Sequence, residues 1–110
     1  MLLTPFVADS KEEKSAKFTA AYREKYGETP IQFAADAYDA IYTIKAALEY
    51  AKVTDPTIDH SALSDALTAA MTKITVDGVT GTMTWDESGE PNKTPKAMVI
   101  QGGTYVSMDE

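Results

Sequence analysis

The 110-residue sequence predicts an α+β fold in which three helices are followed by short, mainly antiparallel strands. Apolar residues first recur at helical spacing over about 70 residues. The spacing then changes to a strict alternation between residues 80 and 85. Near the end, Gly102-Gly103 separates two short apolar runs, which is typical of a tight turn between antiparallel strands. We therefore expect helices over about 10–26, 30–52 and 61–73, and strands over about 74–76, 79–85, 97–101 and 104–107.

The first helix has a start signal, a narrow apolar stripe and a stop signal. Ser10 and Glu13 have the S-x-x-E spacing of a capping box, in which two side chains bond unpaired amides of the first turn. Gly27 stands where helices commonly end in a left-handed conformation. The stripe consists of three aromatic residues at helical spacing, Phe18, Tyr22 and Tyr26. These features are typical of a surface helix that packs along one seam.

The second helix has its start signal at Thr29, which we expect to be the N-cap. Pro30 then occupies the first helical position, and Gln32 completes a T-x-x-Q box. From there to Ala51, apolar and small residues occupy nearly the whole circumference. Such a helix is expected to be central and covered on more than one face.

The third helix and the strands follow a loop that contains Asp55-Pro56. We expect this helix to begin at about Ser61, with Asp59 or His60 as its cap. Beyond it, threonines alternate with Gly, Met and Trp over residues 80–85, which predicts one strand with a polar face. The following residues, 86–89, are typical of a turn.

Composition excludes several classes of function. Seventeen acidic and ten basic residues give a net charge of −7, and the bases are scattered. Nucleic-acid binding needs clustered Lys and Arg, so we expect no nucleic-acid partner. The absence of cysteine excludes disulfides, thiolate zinc sites and cysteine nucleophiles, and leaves the compartment open. No stretch approaches the ~20 apolar residues of a membrane helix, and the first residues lack the pattern of a signal peptide.

Most candidates for chemistry have a simpler structural interpretation. His60 is the single histidine, and it lacks the positioned nucleophile and orienting acid that catalysis needs. Asp86, Ser88 and Glu90 alternate as cation ligands do, but they are too few for a calcium loop, so we interpret them as an acidic turn. No phosphate-binding glycine loop, nucleophile elbow or zinc spacing is present. We expect no catalytic residue, no cofactor and no metal site.

Two residues near the start of the second helix remain candidates for ligand contact. Phe33 is either a core aromatic or, if the helix start faces a cleft, a wall for a small apolar ligand group. Asp36 shares this helix with Asp39, and a carboxylate there needs a partner or a water-filled cleft. For Asp36, a structural hydrogen bond to a neighbouring helix terminus is favoured over a role in a site.

Three segments of the chain resemble one family of solute receptors. Residues 29–41, TPIQFAADAYDAI, look like the Pro-x-x-x-Ala-x-x-x-Tyr-Asp-Ala helix of type I periplasmic binding proteins of the branched-chain amino-acid (Leu/Ile/Val-binding-like) type. Residues 18–27 are similar to the Phe-x-x-x-Tyr-x-x-x-Tyr-Gly helix that precedes it. Residues 77–90, with the Gly102-Gly103 hairpin, resemble the closing segment of that family, G-x-x-G-x-x-x-(F/W)-D-x-x-G-(D/E). Order and spacing agree over essentially the whole chain.

This resemblance implies an α/β parent with the type I periplasmic-binding-protein fold, of which residues 1–110 form roughly the last third. Members are extracytoplasmic receptors of ABC importers, either periplasmic or membrane-anchored lipoproteins, which close two lobes around a ligand. The resemblance therefore implies a branched-chain or related amino acid as ligand, an ABC permease as partner, and no enzymatic activity. By its match to the motif, Phe33 would line the cleft against the ligand side chain, and Asp36, one turn on, is a weaker candidate.

Two consequences concern the chain by itself. Half a cleft cannot surround a ligand, so we expect no binding by the fragment alone. Its exposed apolar surface would favour a homodimer or an exchange of elements. The alternative is a small stand-alone α+β interaction module without a transport role. An enzyme domain is disfavoured because the sequence lacks a nucleophile, a metal set and a phosphate loop.

Overall fold

The computed structural model describes residues 1–108, which form two bodies joined by two connections. The helical body contains three helices and a two-stranded sheet, and the other body is a three-stranded sheet. In chain order the elements are β1 (Leu2–Thr4), α1 (Glu13–Tyr26), α2 (Gln32–Ala51), α3 (His60–Met71), β2 (Val76–Gly78), β3 (Gly81–Met83), β4 (Lys96–Gln101) and β5 (Thr104–Ser107). The α+β class expected for this segment is thus confirmed. Over the described range, no helix combines the length and apolar character needed to cross a bilayer.

The three-stranded sheet contains one strand that the sequence analysis did not predict. β1 pairs antiparallel with β4, with Leu3 opposite Ala97, and β4 pairs antiparallel with β5. The expected hairpin is present, and Gly102 and Gly103 both have positive φ angles (57° and 77°), which suit a tight two-residue turn. β1 was missed because three residues are too few to show a periodic pattern.

Two helices begin later than their capping signals predict. α1 begins at Glu13, and its N-cap, Glu12, makes no side-chain capping bond. Ser10 Oγ instead accepts a hydrogen bond from Glu12 N–H at 3.2 Å, within the turn before the helix. α2 begins at Gln32, three residues beyond Thr29, again without a side-chain cap. The predicted capping boxes are therefore wrong in both places.

α3 begins as predicted, and the structure decides between its two candidate caps. Asp59 Oδ2 accepts hydrogen bonds from Ser61 N–H (3.0 Å) and Ala62 N–H (3.4 Å). His60 is the first helical residue and is exposed. It takes no part in the cap.

Both hydrophobic cores lie in the helical body, and α2 contributes to each. One core joins α2, α3 and the β2–β3 hairpin, through Ala47, Ala70, Ile74, Val76 and Met83. The other joins the β1–α1 connection, α2 and the β2–β3 turn, through Phe6, Ala35 and Val79. Phe18 of α1 packs edge-on against Phe6, with 5.7 Å between ring centroids. α2 is therefore the central element of this body.

The opposite face of α2 is uncovered within residues 1–108. It carries five apolar residues at helical spacing, which we call the apolar stripe: Phe33, Ala37, Ile41, Ile44 and Leu48. Phe33 and Ile41 are each 67% exposed, and Ile44 is 50% exposed. The prediction that α2 is covered on more than one face is therefore wrong for this part of the molecule. The elements of the helical body pack against the other face of α2, which carries Ala35 and Ala47.

A buried carboxylate on α2 holds the turn between β2 and β3, and we call this contact the Asp39 anchor. Asp39 is 2% exposed. Its Oδ1 accepts from Val79 N–H at 2.8 Å, and its Oδ2 accepts from Thr80 N–H at 2.8 Å and from Thr80 Oγ1 at 2.6 Å. Ser15 of α1 also donates to Val79 O at 3.2 Å. Charge-assisted bonds such as those to Asp39 are about twice as strong as neutral ones. The turn is therefore bonded to α2 through Asp39 and to α1 through Ser15.

The anchor explains why β3 begins later than the strand predicted over 79–85. Val79 and Thr80 direct their N–H groups to Asp39 and form the turn, so β3 begins only at Gly81. Gly78 lies directly against the carboxylate, and a Cβ at this position would overlap the side-chain oxygens of Asp39. The glycine is therefore required by close approach.

Replacing Asp39 by alanine should destabilise the chain strongly. The buried donors of Val79 and Thr80 would lose their acceptor, which should lower the free energy of unfolding by about 3 kcal/mol. Urea unfolding followed by circular dichroism measures this loss. The matched control is Asp77→Ala, which removes an exposed acid from the same hairpin and should have a much smaller effect. Equal losses for the two variants would contradict the anchor.

Candidate functional site

Three segments of the chain meet at the first two turns of α2, which also carry both residues singled out from the sequence. β1 reaches these turns through Thr4, and the connection between β3 and β4 reaches them through Lys93. α2 supplies Gln32, Phe33 and Asp36. Because Phe33 and Asp36 are three residues apart, their side chains are neighbours on the helix surface. We call this region the α2 entrance.

Phe33 presents a large aromatic surface at the α2 entrance. It is 67% exposed and begins the apolar stripe. Among residues 1–108 it belongs to neither buried core. This exposure argues against the interpretation of Phe33 as a core aromatic of this segment. It is compatible with a wall that a separate apolar group contacts.

Asp36 forms an ion pair with Lys93. Lys93 Nζ donates to Asp36 Oδ1 at 3.2 Å, and the side chains are 23% and 38% exposed, respectively. The partner lies in the β3–β4 connection, so the expected bond from Asp36 to a helix terminus is not observed. The acid of α2 that has a buried structural role is Asp39, one turn later, and it bonds the β2–β3 turn.

A neutral hydrogen bond holds the other side of the α2 entrance. Thr4 Oγ1 donates to Gln32 Oε1 at 2.7 Å and accepts from Phe6 N–H at 3.3 Å. Thr4 is 2% exposed, so the bond between β1 and α2 is shielded from water. Gln32, expected in a capping box, is used here to join two elements.

The side chains of the α2 entrance are suited to binding rather than to catalysis. An aromatic face can contact an apolar group, and the neighbouring carboxylate and ammonium have further acceptor and donor capacity. His60 lies at the start of α3 and is exposed. Within residues 1–108, no group of three His, Cys, Asp or Glu residues is arranged to hold a metal ion.

The acidic turn at residues 86–90 is held by hydrogen bonds to one carboxylate oxygen. Asp86 Oδ1 accepts from Ser88 N–H (2.8 Å), Ser88 Oγ (2.6 Å) and Glu90 N–H (3.1 Å). The hydrogen bond from the Ser88 hydroxyl, followed by that from the Glu90 amide, holds the pKa of Asp86 below the ordinary value of 3.8. These bonds account for the alternating polar residues as turn chemistry.

A concave region lies between α1, α2 and β2, and no side chain of the α2 entrance lines it. It is an open groove of about 650 Å³, and its wall includes Phe18, Tyr38 and Tyr42. A hydrogen bond from Tyr38 to Tyr42 (3.4 Å), together with partial burial, raises the pKa of Tyr38. Lysines line the groove beside acids, as in the pair Lys14–Asp77 at 2.7 Å. The groove wall therefore carries balanced charge rather than a cationic surface.

The sequence analysis missed the side chains that complete the α2 entrance. Lys93 lies 57 positions from Asp36, and Thr4 lies 28 positions from Gln32. No local pattern marks either residue, since each is an ordinary polar residue in a short connection or strand. The contacts depend on how distant elements are brought together.

Comparison with known proteins gives one family and one fold. A family model described as periplasmic binding protein matches residues 1–104. A Rhodospirillum rubrum protein, provisionally described as a branched-chain amino acid ABC transporter, is 31% identical, with a TM-score of 0.69 over 97% of this chain and 30% of that one. No curated protein matches the chain significantly.

Two further structures share the fold at lower identity. A leucine binding protein of Thermotoga maritima is 23% identical, with a TM-score of 0.73 over 96% of this chain and 28% of that one. A solute binding protein of R. palustris in complex with benzoate is 19% identical, with a TM-score of 0.77 over 96% and 28%. The expected type I parent fold is confirmed, and this chain spans less than a third of the length of these structures.

The pKa of Asp86 offers a test of the acidic turn. Since the folded-state pKa is lowered, the turn is stabilised by ionised Asp86 above the ordinary Asp pKa, and this stabilisation is lost as pH falls through the lowered value. Carboxyl ¹³C NMR should give an Asp86 midpoint below 3.8. Ser88→Ala should raise that midpoint, and Ser64→Ala on α3 should leave it unchanged. A midpoint insensitive to Ser88→Ala would refute the assigned cause.

Proposed function

The chain belongs to the periplasmic binding protein family, and from this membership we propose that it supplies one wall of the ligand cleft in a substrate-binding component of an ABC importer. The family and the similar structures are solute-binding proteins and not enzymes. The single observation that carries the proposal is the exposed Phe33 at the α2 entrance, beside a paired acid and base. The similar structures are about three times longer than this chain, and in the proposed receptor the additional length forms the second lobe.

The proposed ligand is a branched-chain or related amino acid. An aromatic face contacts aliphatic and aromatic groups by removing apolar surface from water, which suits the side chain of such a ligand. The proposal is supported by the leucine binding protein of Thermotoga maritima. The benzoate complex of the R. palustris protein extends the candidates to other small acids with an apolar body.

In the proposed mechanism, ligand binding performs no chemistry. Two lobes close around the solute, and a membrane permease recognises the closed form. This role places the receptor outside the cytoplasm, either in the periplasm or as an anchored lipoprotein. Phe33 contributes apolar contact, and Asp36, held by Lys93, contributes an acceptor at the edge of the contact surface.

A second candidate function is self-association as an interaction module, and the apolar stripe is the observation that favours it. Its residues extend over four turns of α2, or about 22 Å at 1.5 Å per residue. A continuous apolar surface of this length is unfavourable in water and marks a site of association. In the chain by itself, a second copy would cover it as a homodimer or by exchange of elements.

Phe33→Ala in the receptor that contains this segment should weaken ligand binding. Loss of the aromatic contact should raise the dissociation constant by about tenfold or more. Isothermal titration calorimetry with leucine, isoleucine, valine and benzoate would identify the ligand and measure the change. Tyr50→Ala, at the other end of the same helix and 55% exposed, is the matched control. Unchanged affinity for Phe33→Ala would remove Phe33 from the site.

The 110-residue chain alone should form a dimer through the apolar stripe. Light scattering coupled to size exclusion should give twice the mass of one chain at high concentration. Ile41→Lys introduces a charge in the stripe and should shift the population to monomer. Ile100→Lys, at a residue of β4 that is 56% exposed, should have no such effect. A monomer at all concentrations would count against self-association.

A further inference from the structure

We propose that Lys93 is a positioning residue that, through Asp36, fixes the three-stranded sheet at a set angle to the helical body. The consequence for ligand binding rests on the proposed function, because the same contact steadies the helical turn that carries Phe33. The angle itself is a property of the 110-residue chain and can be measured without ligand.

The three-stranded sheet has little apolar packing to hold it in place. Over residues 1–108, both buried cores consist of residues from the helical body and the β1–α1 connection, and neither includes a residue of β1, β4 or β5. The outermost ends of β4 and β5 are exposed. The molecule is correspondingly elongated, with extents of 51 × 30 × 20 Å. The orientation of the sheet must therefore depend on its connections.

Polar contacts join the three-stranded sheet to the segment that leads into α1. Lys96 Nζ, on the first residue of β4, lies 2.6 Å from Oε2 of Glu12, the N-cap residue of α1. Asp9 Oδ2, in the β1–α1 connection, accepts from Ser107 N–H of β5 at 3.1 Å. These contacts tie the sheet to the approach of α1. They do not reach α2, the central helix.

Within residues 1–108, polar contacts reach α2 from the end of β1 and from the β3–β4 connection. Thr4 bonds Gln32 at the point where the chain leaves β1, and Lys93 bonds Asp36 shortly before the chain enters β4. Gln32 and Asp36 are four residues apart and so lie one above the other on the helix. The α2 entrance is thus held from both sides, by a neutral bond and by an ion pair.

The ion pair has the properties of a contact that sets an angle. Its side chains are partly shielded, at 23% and 38% exposure, so the attraction is screened less by water than that of a fully exposed pair. Asp36 belongs to a rigid helix, whereas Lys93 belongs to a connection without regular structure. Removing the charge of Lys93 would leave this connection unattached to α2, and the sheet could then pivot about β1.

Distance measurement between two spin labels tests this directly, because the chain contains no cysteine. Labels are attached at Ser64→Cys on α3 and Thr104→Cys on β5, both at exposed positions. Labelled protein is diluted with unlabelled protein, so that only distances within one chain are measured. The parent chain should give one narrow distribution.

Lys93→Met, which keeps the aliphatic stem, should raise the population outside this distribution by about two- to fivefold, as expected for loss of a partly exposed ion pair. Lys93→Arg should retain the narrow distribution. The charge exchange Asp36→Lys with Lys93→Asp should restore it in part. Lys14→Met is the matched control, because the Lys14–Asp77 pair lies within the helical body and its loss should change nothing.

The result that would overturn the proposal is a distribution unchanged by Lys93→Met, or one broadened equally by Lys14→Met. In the complete receptor, Lys93→Met should weaken ligand binding and Lys93→Arg should preserve it. If Phe33→Ala leaves affinity unchanged while Lys93→Met broadens the distances, the proposed site fails and the positioning role stands. If Phe33→Ala weakens binding and the distances do not respond to Lys93→Met, the proposed site stands and the positioning role fails.

Discussion

One buried carboxylate organises the helical body. Asp39 has no cationic partner within residues 1–108, and its charge is balanced by the N–H and O–H groups of a single turn. Burying a charge is costly unless such bonds are complete, so the helix and the turn must keep one relative position. The turn carries Val79 into one core and directs β2 and β3, with Val76 and Met83, into the other. Both cores therefore depend on this contact.

The same helix presents the candidate binding surface, and this has a physical advantage. A side chain on a helix that a buried contact holds nearby is positioned more precisely than one on a loop. Phe33 and Asp36 lie on the first two turns of α2, and Asp39 follows within one further turn. The anchor and the α2 entrance thus form one continuous structural unit. Its surface combines the aromatic ring of Phe33 with the Asp36–Lys93 ion pair, which has no net charge. Such a surface suits recognition of a small solute better than a chemical step.

The sequence predicted those features that depend on neighbours in the chain. The helices and the Gly102-Gly103 hairpin were found because spacing and turn formation are local properties, and the cap of α3 was limited to Asp59 or His60, of which the structure shows Asp59. The capping signals at Ser10 and Thr29 failed because Ser10 bonds within the turn before α1 and Gln32 bonds Thr4 of β1, and both helices begin later than these signals predict. The strand predicted over 79–85 is present only as Gly81–Met83, and its start was misplaced because alternation cannot reveal that a distant carboxylate binds the amides of Val79 and Thr80.

By itself, the sequence determined the α+β class, the resemblance to a family of solute receptors, and the candidacy of Phe33. Only the tertiary structure decided which acid of α2 is buried and which is paired with Lys93. Helical periodicity assigns Asp36 and Asp39 to neighbouring positions on one face, and the difference between them arises from the elements that pack there. Those elements lie 40 to 57 residues away, and the free energy of a buried charge depends on such partners rather than on local spacing.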